Sequence, residues 1–365
     1  MVGILTFHKA INYGAVLQAY ALRTAVEAMG KPCAVVNYVG EKMHAESRPM
    51  YIARCGSVVD QLLYYYRLPM RAATVKKFEQ FCRTSLNLSH EEVIGEDALR
   101  ALPETWDAFI TGSDQVFNYD GTGEDFNYYL EFAKGQAKKI AYAPSFGLST
   151  VDQVHAPRVT DALQSFDALS VREELGAQIV EDLIGKRPVQ VCDPTFLISK
   201  QQWEQLCIPP KHKKPYVLTY TFGSRHLEAV AKELAEQIGG IVVNINRSLP
   251  GIVGGKNVKN AYAPGPQEFL GLIKNAEIVL TNSFHGTALS VLLEKEFYVF
   301  TNHYSNSGAT NNRFETLAKK LGVTDRVYHS IGSVQRSAVD YSAVRKKISS
   351  WREESLSFLS NALQK

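Results

Sequence analysis

Short β-branched, apolar runs alternate along the chain with longer stretches whose apolar residues recur at helical spacing. "VGILTF" reads as a strand, "HKAINYG" as a loop and "AVLQAYALRTAVEAMG" as a helix closed by Gly30, after which "CAVVNYV" starts a second strand. Such a β-α-β opening requires a parallel sheet with a right-handed crossover. A helix is predicted over 58–83. "WDAFITGSDQVFN", "KKIAYAPSFG" and "ALSVREELGAQIVEDLIG" each add a strand with its loop or helix, and "VQVCDPTFLIS" closes the series with a strand ending at Asp193-Pro194.

The run "PPKHKKP" at 209–215 holds prolines and basic residues that neither bury nor pair regularly, so it reads as a linker. The pattern then restarts: strand "YVLTYTFG", helix "HLEAVAKELAEQIGG", strand "IVVNI", a Gly/Pro/Asn-rich loop to about 266, helix "PQEFLGLIKNA", strand "EIVL", helix "ALSVLLEKE" and strand "FYVF". The expected organisation is therefore two α/β domains in tandem, 1–208 and 216–335. The last stretch, 336–365, carries an amphipathic helix expected to pack back on the first domain. Ligands of open α/β sheets bind beyond the carboxyl ends of the strands, so loops of both domains are expected to face one cleft.

Composition narrows the class of function more than the fold. A length of 365 residues suits two domains, and 45% hydrophobic with 21% charged residues is ordinary for a globular protein. The net charge of +3 is too small for a nucleic-acid partner, and no nucleic-acid-binding motif is present. Cys33, Cys55, Cys82, Cys192 and Cys207 are odd in number and lack metal-ligand spacing, as expected of reduced thiols in a cytoplasmic chain. The N-terminus enters a strand without a basic segment and apolar signal core, and no apolar run approaches about 18 residues, so no membrane span is expected. The stretch "QLLYYYRLPMRAATVKKF" mixes tyrosines with Arg67, Arg71, Lys76 and Lys77; one apolar side in the core and one solvated basic side explain it, and an anionic membrane or a sugar is the alternative contact.

Four strand ends carry candidate chemistry. In "TNSFHGTALSVLLEKEF", His285 falls in the first turn of a helix, where unpaired N–H groups and the positive dipole end attract phosphate or carboxylate. Asn282, Ser283, Gly286 and Thr287 surround it; the alternative is that Asn282 or Ser283 only caps the helix and His285 only packs. Asn12, Tyr13 and Gly14 precede the first helix, without the G-x-G-x-x-G of a dinucleotide site. Asp114 in "TGSDQVFN" is placed either to accept a proton from a substrate hydroxyl or to cap a helix. Arg172 in "LSVREE" offers a planar fork for a carboxylate or phosphate, or a salt bridge with Glu173 or Glu174. Arg313 in "NNRFETLAKKLG" adds charge nearby.

Taken in order and spacing, "GILTFHKAINYGAVLQAYAL", "FITGSDQVFN", "SVREELGAQIV", "CDPTFLIS" and "TNSFHGTALSVLL" resemble the polysaccharide pyruvyl transferases over about residues 1–320. The resemblance implies two Rossmann-like domains in a glycosyltransferase-B-like arrangement with an interdomain cleft. It also implies phosphoenolpyruvate as donor and a sugar, often lipid-linked, as acceptor. Arg172 then matches the family's donor-binding arginine and His285 its histidine at the start of the second domain's helix. The chain departs from the R-L-H pattern of many members by carrying Ser283, which leaves the donor phosphate to Arg172, backbone N–H groups and Arg313.

On that resemblance His285 is the expected general acid or phosphate ligand and Asp114 the base. Arg172, Asn282, Ser283, Gly286, Thr287 and Arg313 would hold the donor, and Asn12, Tyr13 and Gly14 would line the acceptor side. No metal or redox cofactor is expected, and the place of work is the cytoplasm, peripheral to the inner membrane face where an acceptor is lipid-linked. The rival readings are a nucleotide-sugar glycosyltransferase and a catalytically silent carbohydrate-binding or assembly subunit.

Overall fold

In a computed structural model, the strand-and-helix succession forms two six-stranded, wholly parallel sheets and one two-stranded parallel pair. The structure describes residues 1–42, 44, 58–89, 92–95, 99–100, 106–133, 135, 137–211, 213–222, 227–245, 257–301, 308–330, 332 and 334–364, and the expectation for Cys55 lies outside them. The side chains of 58–64, 66–67 and 308–311 also lie outside the description, Arg67 among them.

The first half runs β1 (Val2–Leu5), α1 (Tyr13–Ala28), β2 (Cys33–Val35), β3 (Tyr38–Val39), α2 (Val58–Ser85), β4 (Val93–Ile94) and β5 (Ala108–Thr111). It continues through β6 (Lys138–Ala141), α3 (Ala156–Gln164), β7 (Ala168–Val171), α4 (Glu174–Ile184), β8 (Val189–Gln190) and α5 (Lys200–Leu206). The second half runs β9 (Tyr216–Tyr220), α6 (Leu227–Gln237), β10 (Ile241–Asn244), β11 (Val258–Asn260), α7 (Pro266–Asn275), β12 (Ile278–Thr281), α8 (Phe284–Leu292), β13 (Glu296–Phe300), α9 (Gly308–Leu321), β14 (Val327–Tyr328) and α10 (Tyr341–Gln364).

The first sheet is ordered β2-β1-β5-β6-β7-β8 and the second β11-β10-β9-β12-β13-β14. Both orders reverse direction once, between β1 and β5 and between β9 and β12, which makes each a doubly wound, Rossmann-type sheet with a crevice at its switch point. The two domains set these crevices against each other in a glycosyltransferase-B-like arrangement. Their central strands are buried along their whole length, which is why they read as continuous apolar runs.

Three local expectations are corrected. "CAVVNYV" is two strands, because Tyr38 N donates to Val36 O at 2.7 Å and bends the chain at Asn37, so Tyr38–Val39 pairs with Val93–Ile94 instead. The strand expected to reach Asp193 stops at Gln190, and Asp193 caps a 3-10 turn at Pro194–Phe196. The Gly/Pro/Asn-rich loop contains β11, an edge strand with a single apolar residue and hence little periodic signal.

One apolar core runs through both domains, drawing on α1, α2 and β1 from one side and on α7, α8 and β12 from the other. Tyr13 fastens them: its ring stacks on Phe269 at 4.2 Å and its hydroxyl donates to Pro264 O at 2.9 Å. Lys77 on the basic aromatic helix pairs with Glu268 at 2.6 Å. The terminal helix α10 lies against the first domain, where Ser355 Oγ accepts from Cys192 N at 2.9 Å and Arg352 Nη2 donates to Ile198 O at 3.0 Å. No described helix is long and apolar enough to cross a membrane.

Candidate active site

The site forms where the carboxyl ends of β5, β7 and β8 meet the first turn of α8. Its centre is a carboxylate that sequence reasoning read only as the end of a strand. Asp193 is fully buried; its Oδ2 accepts from Arg172 Nη1 at 2.9 Å and Ser113 Oγ at 3.2 Å, and its Oδ1 accepts from Thr195 N at 3.0 Å and Thr195 Oγ1 at 2.8 Å. Across the domain boundary, His285 Nε2 lies 3.4 Å from Asp193 Oδ2. That contact is an ion pair when the ring is protonated but too poorly aligned for a hydrogen bond, so Nε2 is buried without a hydrogen-bond partner among the described residues. Burial alone would raise the Asp193 carboxyl, but His285, Arg172 and the Thr195 amide outweigh it and hold it well below the usual carboxylate range. The available signal was positional: an acidic residue just past the carboxyl end of a parallel strand, inside "CDPTFLIS".

Arg172 is nearly fully buried between two carboxylates, with Nε 3.2 Å from Glu173 Oε2 and Nη1 on Asp193. Burial pulls its pKa down, but Glu173, Asp193 and Asp114 more than compensate and keep it charged. The expectation of a free fork for a ligand is therefore corrected, because among the described residues Nη2 alone of its nitrogens is left without a hydrogen-bond partner. The guanidinium also lies over the Phe284 ring at 4.3 Å. Glu173 is held in turn by the Ser145 hydroxyl.

Arg313 reaches the same place from α9. Turned with its oxygen inward, the Gln115 carboxamide accepts from Arg313 Nη1 at 3.0 Å and Nη2 at 3.3 Å, while Nε is buried without a hydrogen-bond partner among the described residues. Burial and the neighbouring Arg172 charge lower its pKa, against Glu173 and Asp114. Asp114 is half-buried at φ 69°, a left-handed conformation uncommon for a residue with a side chain and one that collects at functional sites. Gly112 before it stands at φ 115°, where a Cβ would meet Tyr142 O at 2.1 Å, so no larger residue fits that turn. Gln18 of α1 braces the turn, accepting from Ser113 N at 3.1 Å and donating to Thr6 Oγ1 at 2.8 Å.

Helix α8 is buried over all of its residues, and Ser283 caps it by accepting from Gly286 N at 3.3 Å. The amides of Phe284 and His285 are the first-turn donors that this cap does not engage. Thr287 Oγ1 donates back to Ser283 O at 3.0 Å. A Cβ on Gly286 would meet Thr281 Oγ1 at 2.5 Å, so this glycine serves packing. The Asn282 carboxamide accepts from Phe222 N at 2.7 Å and donates to Phe222 O at 2.9 Å.

The residues expected on the acceptor side are engaged otherwise. Asn12 caps α1 by accepting from Gly14 N at 3.0 Å, and Tyr13 is the interdomain stack. A Cβ built on Gly14 would lie 2.1 Å from His285 Nδ1 and 2.2 Å from Cγ, so the absence of a side chain there is what admits the imidazole. Among the described residues no group of three or more His, Cys, Asp or Glu could hold a metal ion.

Apart from Arg313, this constellation lies within a match of the polysaccharide pyruvyl transferase family model to residues 12–304, and the chain belongs to that family. No curated protein matches it. Among solved structures it is similar to UDP-GlcNAc 2-epimerase from Neisseria meningitidis bound to UDP-GlcNAc, at 10% identity and TM-score 0.44 over 100% of this chain and 97% of that one. It is also similar to UDP-GlcNAc 2-epimerase from Methanocaldococcus jannaschii, at 10% identity and TM-score 0.42 over 95% and 91%. A third is the E. coli heptosyltransferase WaaC with ADP, at 13% identity and TM-score 0.40 over 86% and 90%.

Proposed function

We propose that this family member moves the enolpyruvyl group of phosphoenolpyruvate onto two hydroxyls of a sugar, making a pyruvate ketal in surface or exopolysaccharide biosynthesis. The observation that carries the reading is a set of buried nitrogens without hydrogen-bond partners among the described residues, Arg172 Nη2, Arg313 Nε and His285 Nε2, beside the first turn of α8. Buried polar groups are normally paired, and an anion bearing both phosphate and carboxylate would satisfy several of these at once.

In the proposed reaction the methylene carbon takes a proton, and the first sugar hydroxyl adds to the cationic C2 and gives up its own. The C2–O bond to phosphate then breaks, and the second hydroxyl adds with loss of its proton. Two protons are released and one consumed, so the remaining one leaves with inorganic phosphate. His285 is the acid for the carbon and Asp114 the base for a hydroxyl. Asp193 orients His285 and Arg172 without touching substrate. The chemistry draws on no metal or redox cofactor, and the acceptor is a sugar or lipid-linked oligosaccharide met at the cytoplasmic face of a membrane.

The test is a thermal-shift and calorimetric titration with phosphoenolpyruvate, beside uridine diphosphate sugars, on wild type, Arg313→Gln and His285→Asn. Phosphoenolpyruvate at 100 times its dissociation constant stabilises the fold by about 2.7 kcal/mol, and Arg313→Gln weakens that response. Stabilisation by a nucleotide sugar alone would replace this reading with glycosyl transfer.

A further inference from the structure

The second domain carries an exposed aromatic residue whose backbone is tied down by a side chain. Phe222 follows β9, is 38% exposed, and has both its backbone polar groups tied to the Asn282 carboxamide at 2.7 and 2.9 Å. Asn282 is three residues before His285, and the neighbouring Thr281 hydroxyl donates to Tyr220 O at 2.7 Å, so two successive side chains pin the end of β9 to the turn that presents the histidine. The Phe222 ring is the outermost of a connected aromatic row: it stands edge-on to Tyr220 at 5.2 Å, Tyr220 meets Phe269 at 4.9 Å, and Phe269 stacks on Tyr13 at 4.2 Å. A solitary exposed phenylalanine needs no explanation. One whose backbone is clamped by a polar side chain from the catalytic turn, at the carboxyl edge of a Rossmann-type sheet, is set where a ligand covers it.

We propose that Phe222 is the platform for the apolar face of the acceptor's pyranose ring, and that Asn282 is its positioning residue. The inference rests on the sugar-modifying reading above and places acceptor recognition in the second domain, next to His285, whereas Asn12, Tyr13 and Gly14 have structural work. Flat aromatic contact suits a pyranose because axial C–H groups offer an apolar face while the hydroxyls stay at the rim, free to reach the reacting carbon.

The probes are methyl pyranosides of glucose, galactose, mannose and N-acetylglucosamine, followed by saturation-transfer NMR and calorimetry. Wild type binds at least one of them, with saturation concentrated on the hydrogens of one ring face. Phe222→Ala weakens that binding about tenfold, Phe222→Trp restores it, and Asn282→Ala weakens it as Phe222→Ala does. In steady-state assays with the same glycoside, Phe222→Ala raises the acceptor KM more than it lowers kcat. Stabilisation of Phe222→Ala by phosphoenolpyruvate stays at the wild-type level. Binding unchanged in Phe222→Ala, or no pyranoside binding by wild type, would overturn the proposal. Loss of phosphoenolpyruvate binding in wild type with pyranoside binding retained would sink the donor reading and leave the platform standing.

Discussion

Replacing Gly14 by alanine tests whether His285 is the reacting group, because it moves that ring without touching its chemistry. The added methyl would sit 2.2 Å from His285 Cγ and 2.6 Å from Cβ, so the stem of the side chain must move, not only a flexible tip. Restoring 3.4 Å, the edge of ordinary contact, requires a shift of about 1.2 Å, and a misplacement of about 1 Å at a reacting group costs on the order of 100-fold in rate. Stability responds less, since two terms oppose. Overpacking costs about 1–3 kcal/mol, while alanine improves on glycine inside a helix by about 1 kcal/mol. Phosphate release from phosphoenolpyruvate with a sugar acceptor therefore falls about 100-fold, with melting displaced by only a few degrees. Turnover within threefold of wild type in a folded Gly14→Ala protein would refute the assignment of His285.

Other outcomes follow from the same geometry. Asp193→Asn removes charge from a buried cluster and takes from Arg172 one of its two carboxylate ion pairs, at a cost of about 3–5 kcal/mol read by urea unfolding near neutral pH. His8 is buried and its pKa is pushed by burial down to about 4, so the unfolded chain takes up its proton first as pH falls below 6.5. Its contribution is present above 6.5 and lost between 6.5 and 4 at about 1.4 kcal/mol per pH unit, and His8→Gln flattens that part of a stability-against-pH curve. Tyr13→Phe removes the hydroxyl from Pro264 O and lowers stability by about 1 kcal/mol in denaturant titration, while keeping the stack on Phe269.

The two-domain architecture was legible because parallel strands buried on both faces leave unbroken apolar runs, as in "EIVL" and "YVLTY", and the helices between them keep a helical period. Edge strands of two or three residues, β3, β4, β11 and β14, are too short to show a period. His285, Arg172 and Asp114 were readable as chemistry at strand ends and Arg313 as a charge nearby, and the structure brings them together. Their wiring was not readable. Asp193 looks like a turn former until the chain returns past it, and Asn282 belongs to a residue 60 positions away. Tyr13 takes its role from a carbonyl 251 positions distant, a contact with no local signal.

Adjacent residues in α1 do two jobs that look unrelated. Tyr13 locks the angle between the domains, and Gly14 receives the imidazole that the other domain presents. Any swing of one domain away from the other must unstack Tyr13 from Phe269 and, in the same motion, pull the pocket off His285 and stretch its contact with Asp193. Gaping and arming are thus a single mechanical coordinate. A molecule open wide enough to exchange ligands is disarmed by that opening, so His285 and Asp193 face each other only when both halves are shut.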